Sequence, residues 1–192
     1  MSTPRQVPTP RWERPNPLGY AHGAKEAQFV AAPLLAAASL GLAGVVAGAN
    51  NDVFLLPGPT LLVLVVSAMT LIFSIQLGYH ARKFLYSRQD VLDWFPEGTA
   101  DQAERFAALR EQQGNDFVTW RRFNNGANRC FNGGTVLLGF GIAAALAPPD
   151  GSKQGIWRWW AAGLVLVATL GEIVWLVILE RRVNERAAHG IN

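Results

Sequence analysis

The stretch WWAAGLVLVATLGEIVWLVIL, residues 159–179, decides how this chain folds. It runs about twenty residues with a single formal charge, Glu172. A helix rising about 1.5 Å per residue covers, in that length, the roughly 30 Å of a bilayer's hydrocarbon core. Three further stretches, 29–49, 60–79 and 130–149, have comparable length and no formal charge. Lipid offers a backbone amide no partner, so each span must close its own hydrogen bonds. Long uninterrupted apolar runs do this as α-helices rather than as short alternating barrel strands. The expected fold is all-α: a four-helix transmembrane bundle within a membrane domain over 28–182, with a cytoplasmic helical hairpin over 80–129 projecting between helices 2 and 3.

A chain of 192 residues that is 50% hydrophobic leaves little for a second folded domain once four spans are counted. The first 27 residues carry Pro4, Pro8, Pro10, Pro15 and Pro17, which remove amide donors without supplying a core. They read as a disordered tail, with a polyproline partner motif in 8–17 as the functional alternative. Residues 183–192 form a second tail. The first apolar run begins at Phe29 and has full spanning length, so no cleaved secretory signal is expected. The net charge of +3 raises nucleic acid as a partner, but no base-reading module is visible and basic residues beside spans are topology signals. Those residues are Arg5, Arg11, Arg14 and Lys25 in the tail, eight Lys and Arg in the middle connection, and Arg181, Arg182 and Arg186 at the end. Only Lys153 and Arg158 fall on the other side. The imbalance places both termini and the long connection in the cytoplasm. Trp157, Trp159 and Trp160 then mark the outer interface as an aromatic anchor. The single cysteine, Cys130, excludes an intrachain disulfide framework.

In the connection, Leu77, Phe84, Leu85, Val91, Leu92 and Phe95 recur at helical intervals, which predicts that the second span continues as a helix through 81–95. Pro96, Glu97 and Gly98 turn the chain, and Thr99 with Gln102 forms a capping box for a helix starting at Ala100. Gly114 and Asn115 weaken that helix, after which 116–129 runs into the third span. The hairpin is either a rigid spacer or the seat of a partner or ligand. Trp94, Phe95 and Trp120 either staple it or stack on a planar ligand.

Glu172 sits well inside hydrocarbon, where a carboxylate costs a few kcal/mol unless something pairs with it. Gln76 and His80 are spaced i, i+4 near the inner end of the second helix, and Asn124, Asn128 and Asn132 form a line into the third beside Arg129. The expected arrangement is a polar cluster of Glu172, Gln76, His80, Asn128 and Asn132, with Glu172 paired to Gln76, Asn132, His80 or Arg129. It acts either as interhelical glue or as a gate or proton-coupled ion site. Gly44 and Gly48, and Gly134, Gly139 and Gly141, announce close helix crossings. Three histidines and one cysteine make no catalytic or metal-ligating set, so no enzyme, metal or cofactor is expected. Four spans without repeats or broken helices are few for a transporter acting alone, so any pore requires a homo-oligomer in the lipid bilayer.

The runs Tyr79-His80-Ala81-Arg82-Lys83-Phe84-Leu85-Tyr86-Ser87, Trp94-Phe95-Pro96 and Trp120-Arg121-Arg122-Phe123-Asn124-Asn125-Gly126 resemble a group of uncharacterised four-helix membrane proteins of high-GC Gram-positive bacteria, over residues 79 to about 148. That resemblance implies a bacterial inner-membrane location. A more distant likeness joins the segment Gly23-Ala24-Lys25-Glu26-Ala27 to the transmembrane effectors of the Pycsar antiphage systems, in which a cyclic pyrimidine nucleotide triggers damage to the inner membrane. It implies a small anionic ligand such as a cyclic nucleotide on the hairpin, with Arg121, Arg122 and Arg129 as candidate phosphate contacts, the alternative being positive-inside residues. Two functions are carried forward: a nonenzymatic, ligand-triggered membrane-permeabilising effector, and an accessory or scaffold subunit of a transport or signalling complex.

Overall fold

The structure, a computed structural model, describes residue 13 and residues 20–50, 53–94, 102–149, 151–152 and 154–189. Among these the regular elements are all helical: α1 (Tyr20–Glu26), a π-helical turn (Ala27–Ala31), α2 (Ala32–Gly48), α3 (Pro57–Arg82), α4 (Arg88–Trp94), α5 (Gln102–Leu146) and α6 (Gly155–His189). Four stretches are long and apolar enough to cross a membrane: Gly23–Gly48, Pro57–Arg82, Phe106–Leu146 and Gly155–Leu179.

The packing follows a pattern of alternating three- and four-residue steps. On α3 the buried positions are Thr60, Leu64, Ser67, Ala68, Leu71, Ser74, Gly78 and Ala81. On α5 they include Phe117, Trp120, Asn124, Ala127, Gly134, Leu138 and Gly141, with the half-buried Phe131 filling the gap. A repeat of 3.5 residues keeps one seam facing its partner along a left-handed supercoil. The two helices run antiparallel: Leu64 meets Gly141, Leu71 meets Gly134 and Leu77 meets Gly126. A Cβ at Gly134 would fall 2.6 Å from Leu71 Cγ, so glycine is what lets the backbones close to this spacing. The hydroxyls of Ser39 and Ser67 cross the gaps to donate to the carbonyls of Leu64 (2.7 Å) and Gly134 (2.8 Å).

The first span packs on α3 through Ala32, Ala36, Ser39, Ala43 and Val46, the same alternation. Helix α6 packs on α5, with Thr169 against Gly139. Arg158 fastens its first turn: its guanidinium donates to the carbonyls of Leu146 (3.2 Å) and Ala145 (3.3 Å), which end α5, and to Val53 O in the α2–α3 connection (3.3 Å). Those terminal carbonyls have no helical partner, and a cation suits the negative end of the dipole. The opposite face of α6 is bare: Trp157, Trp160, Leu164 and Val167 are each at least 70% exposed. Apolar surface of that extent has hydrocarbon or another helix as its natural surroundings.

Three expectations are corrected. The first helix starts at Tyr20 rather than near Phe29, so residues 20–27 are not part of a disordered tail. Glu13 is also tied down: its N–H donates to Gln113 Oε1 (3.0 Å) and its carbonyl accepts from Gln113 Nε2 (2.9 Å). The rest of the tail lies outside the described residues. Helix α3 does not continue to residue 95. It stops at Arg82, and Ser87 and Asp90 then cap a new helix reciprocally, Ser87 N–H donating to Asp90 Oδ2 (2.6 Å) and Asp90 N–H to Ser87 Oγ (3.2 Å). The chain between them folds Phe84 and Leu85 onto Ala81, Phe117, Trp120 and Phe123. Helix α5 runs unbroken through Gly114 and Asn115 for 45 residues, about 67 Å. A helical glycine costs about 1 kcal/mol, but Gln113 and Phe117 on either side are buried, and their packing outweighs it. The capping box at Thr99, the turn at 96–98, Phe95 and the Trp94 side chain lie outside what is described.

Candidate functional site

The polar site that forms is built around a residue the sequence did not single out, Gln28. Continued backward from Ala32, the seam of the first span would reach Phe29. Pro33, however, has no N–H to give the Phe29 carbonyl, and its ring crowds that group. The helix widens just before it, and Ala32 N–H bonds to Ala27 O, five residues back. This π turn inserts one residue into the phase. Gln28 takes the inward position, 3% exposed, and its Nε2 donates to Asn128 Oδ1 at 3.2 Å. Its carbonyl oxygen occupies the space that a Cβ at residue 78 would take.

Above Gln28 lies a cleft of about 230 Å³ where the first span, α3 and α5 meet. Its walls are Gln28 and Asn124, both buried amides, the indole of Trp120, the backbone of Gly78, and the side chains of Lys25 and Arg82. The Arg82 guanidinium stands over the Phe29 ring, 3.8 Å from its centroid. None of the described lining residues is acidic. The charged side chains among the described lining residues are therefore both basic.

A wider depression of about 650 Å³ opens beyond, between the end of α3, α4 and α5. There Tyr86 Oη donates to Asp116 Oδ2 at 2.8 Å. Partial burial and the adjacent carboxylate push the phenol up to about 12. Asp90 is held below the usual carboxylate range by its hydrogen bonds from the Ser87 N–H and hydroxyl.

The residues singled out from the sequence are not gathered into one cluster. Gln76 and His80 lie on exposed positions of α3, the His80 ring against Tyr79 and Phe123. Asn132 is half-buried on α5, while Asn128 has joined Gln28. Glu172 is half-buried on the side of α6 that faces α5, three residues or about 4.5 Å past Thr169. No hydrogen bond or ion pair links it to a described residue, so the expected pairing with Gln76, Asn132, His80 or Arg129 does not form. The reason is topological: α5 lies between α6 and α3, which puts Gln76 and His80 beyond reach. Arg121, Arg122 and Arg129 are exposed along α5, Arg121 over the Phe117 ring at 5.3 Å, and none of them lines the cleft. Among the described residues, no three His, Cys, Asp or Glu side chains converge. The signal that could have revealed Gln28 was the proline five residues beyond it.

Comparison of the chain with protein-family models, with curated proteins and with solved structures returns no match.

Proposed function

We propose that this chain is a nonenzymatic, multi-pass inner-membrane protein that assembles with copies of itself and permeabilises the membrane when a ligand engages its cytoplasmic side. In this reading both termini, α4 and the first half of α5 lie in the cytoplasm, as the Lys and Arg distribution favours. The observation that carries the reading is Glu172. An intramembrane carboxylate with no partner among the described residues costs a few kcal/mol, and it sits on a helix that packs chiefly on α5. Neighbouring copies supply an apolar partner for the bare face of α6, opposite the α5-facing side that carries Glu172. A shift of α6 in such an assembly brings a ring of carboxylates together in the inner leaflet, the usual basis of a cation-conducting constriction.

The bare α6 face equally favours a second reading, an accessory or scaffold subunit whose α6 docks on a different membrane protein. Expression of the chain alone, with membrane potential followed before and after addition of cyclic nucleotides, separates the two. The effector depolarises the cells and Glu172→Gln abolishes the effect; a scaffold gives no depolarisation at any concentration.

A further inference from the structure

From the cleft between the first span, α3 and α5, we infer a binding site for a phosphodiester anion, the headgroup of an acidic phospholipid being the occupant the geometry favours. Four observations carry this. Lys25 and Arg82 stand at the limits of two spans, Gly23–Gly48 and Pro57–Arg82, the depth at which lipid phosphates lie. They share the cleft with no described acidic residue, and the Arg82 guanidinium is held over the Phe29 ring. The inner wall carries two amides, Gln28 and Asn124, each at least 95% buried, so a ligand that enters leaves its water behind and meets a polar wall held in place, Gln28 by its bond to Asn128. A basic pocket between membrane helices at this level is the usual seat of an anionic headgroup.

The π turn is what assembles this wall. Lys25 lies one turn before Gln28, so the added residue that swings Gln28 inward also brings Lys25 to the cleft. Single π turns inside α-helices occur frequently at functional sites, and here the turn trades an apolar Phe29 contact for a polar one in the first span. Size separates the two sources of a phosphodiester. About 230 Å³ is below the roughly 300–1,000 Å³ of pockets that enclose a whole small molecule. It suits a phosphate and part of a headgroup whose acyl chains stay in the bilayer, better than a nucleotide that must be enclosed entire.

The site stands apart from the permeabilising role, because binding is read without any ion gradient. Full-length protein is delipidated in mild detergent and titrated, with native mass spectrometry as the readout. The titrants are phosphatidylglycerol, phosphatidylcholine and, as a soluble phosphodiester, cyclic CMP. The expected result is one tightly held phosphatidylglycerol per chain. Its preference over phosphatidylcholine falls about thirtyfold in Lys25→Gln/Arg82→Gln, the effect of two basic groups on an acidic headgroup. Arg82→Lys keeps most of the preference, and Arg121→Gln/Arg122→Gln, which removes equal charge from an exposed face, keeps it all. Binding of cyclic CMP in place of the lipid, dependent on the same two residues, supports the site with a soluble source. The inference is overturned if neither probe binds, if the Lys25/Arg82 variant binds like wild type, or if the Arg121/Arg122 variant loses as much.

Discussion

Gln28 and Gly78 interlock: the side-chain oxygen of Gln28 fills the volume a Cβ at residue 78 would need, so the amide reaches Asn128 only because α3 carries glycine there. The contact joins the first span to both α3 and α5 at the polar end of the bundle.

Gly78→Ala is therefore expected to expel Gln28 from its pocket and break its bond to Asn128. The displaced group is the far end of a flexible side chain, so stability changes by less than about 1 kcal/mol, within the range of a single membrane hydrogen bond. The check is solvent exchange of the Gln28 side-chain amide by NMR, slow in wild type and fast in the variant.

Gly134→Ala meets a less forgiving neighbour. Its new methyl would press on Leu71, a fully buried branched side chain, and on the Leu71 backbone nitrogen 3.3 Å away. Overpacking of this kind costs about 1–3 kcal/mol, which exceeds the gain of up to about 1 kcal/mol from placing alanine in a helix. Gly133→Ala, with open space around it, collects only that gain. Thermal unfolding in detergent should place the two variants on opposite sides of wild type.

Ser67 and Ser74 lie two turns apart on one seam yet differ in state. Ser67 donates to Gly134 O, whereas the buried Ser74 hydroxyl has no partner among the described residues. Ser67→Ala is expected to lose about 0.6 kcal/mol, up to about 1.7. Ser74→Ala should be neutral or stabilising, since it removes an unsatisfied group. Denaturation of both variants in the same detergent tests the contrast.

The connection between α3 and α5 should respond to pH at both extremes. The Tyr86 phenol is raised, so its bond to Asp116 contributes fully below the ordinary value of 10.0 and is lost as pH rises through about 12. Asp90 is lowered, so the cap on α4 contributes fully above the ordinary 3.8 and is lost as pH falls through its lower folded value. Tyr86→Phe should flatten the alkaline limb of the tyrosine absorbance and stability profiles. Ser87→Ala should remove the acid limb associated with the cap.

The four spanning stretches were legible because length and apolarity are properties of composition, and lipid leaves the backbone one way to satisfy itself. The end of α3 was not, because Phe84, Leu85, Val91 and Leu92 recur at helical intervals on both sides of a break. Phe84 and Leu85 pack on the cluster around Trp120 after the helix has ended, and the break is marked by the Ser87 and Asp90 cap. Gly114 misled in the opposite direction, since its local cost is outweighed by buried neighbours that no local rule counts. In the site, Asn128 was recognised but its partner was missed. Period counting assumes a constant turn, and the π turn shifts Gln28 by one residue. Glu172 was legible as an intramembrane charge, while its lack of a partner among the described residues depends on helix order, which a single chain's pattern does not encode.

In the proposed topology the chain crosses the membrane four times and leaves the α3–α5 connection inside. Its most direct test is labelling of single cysteines by a membrane-impermeant maleimide in intact cells, in a Cys130→Ser background, with Gly114→Cys on α5 and Gln154→Cys before α6. Position 154 is expected to be labelled at once and position 114 only after the cells are opened. Labelling at 114 in intact cells, or protection at 154, would contradict it.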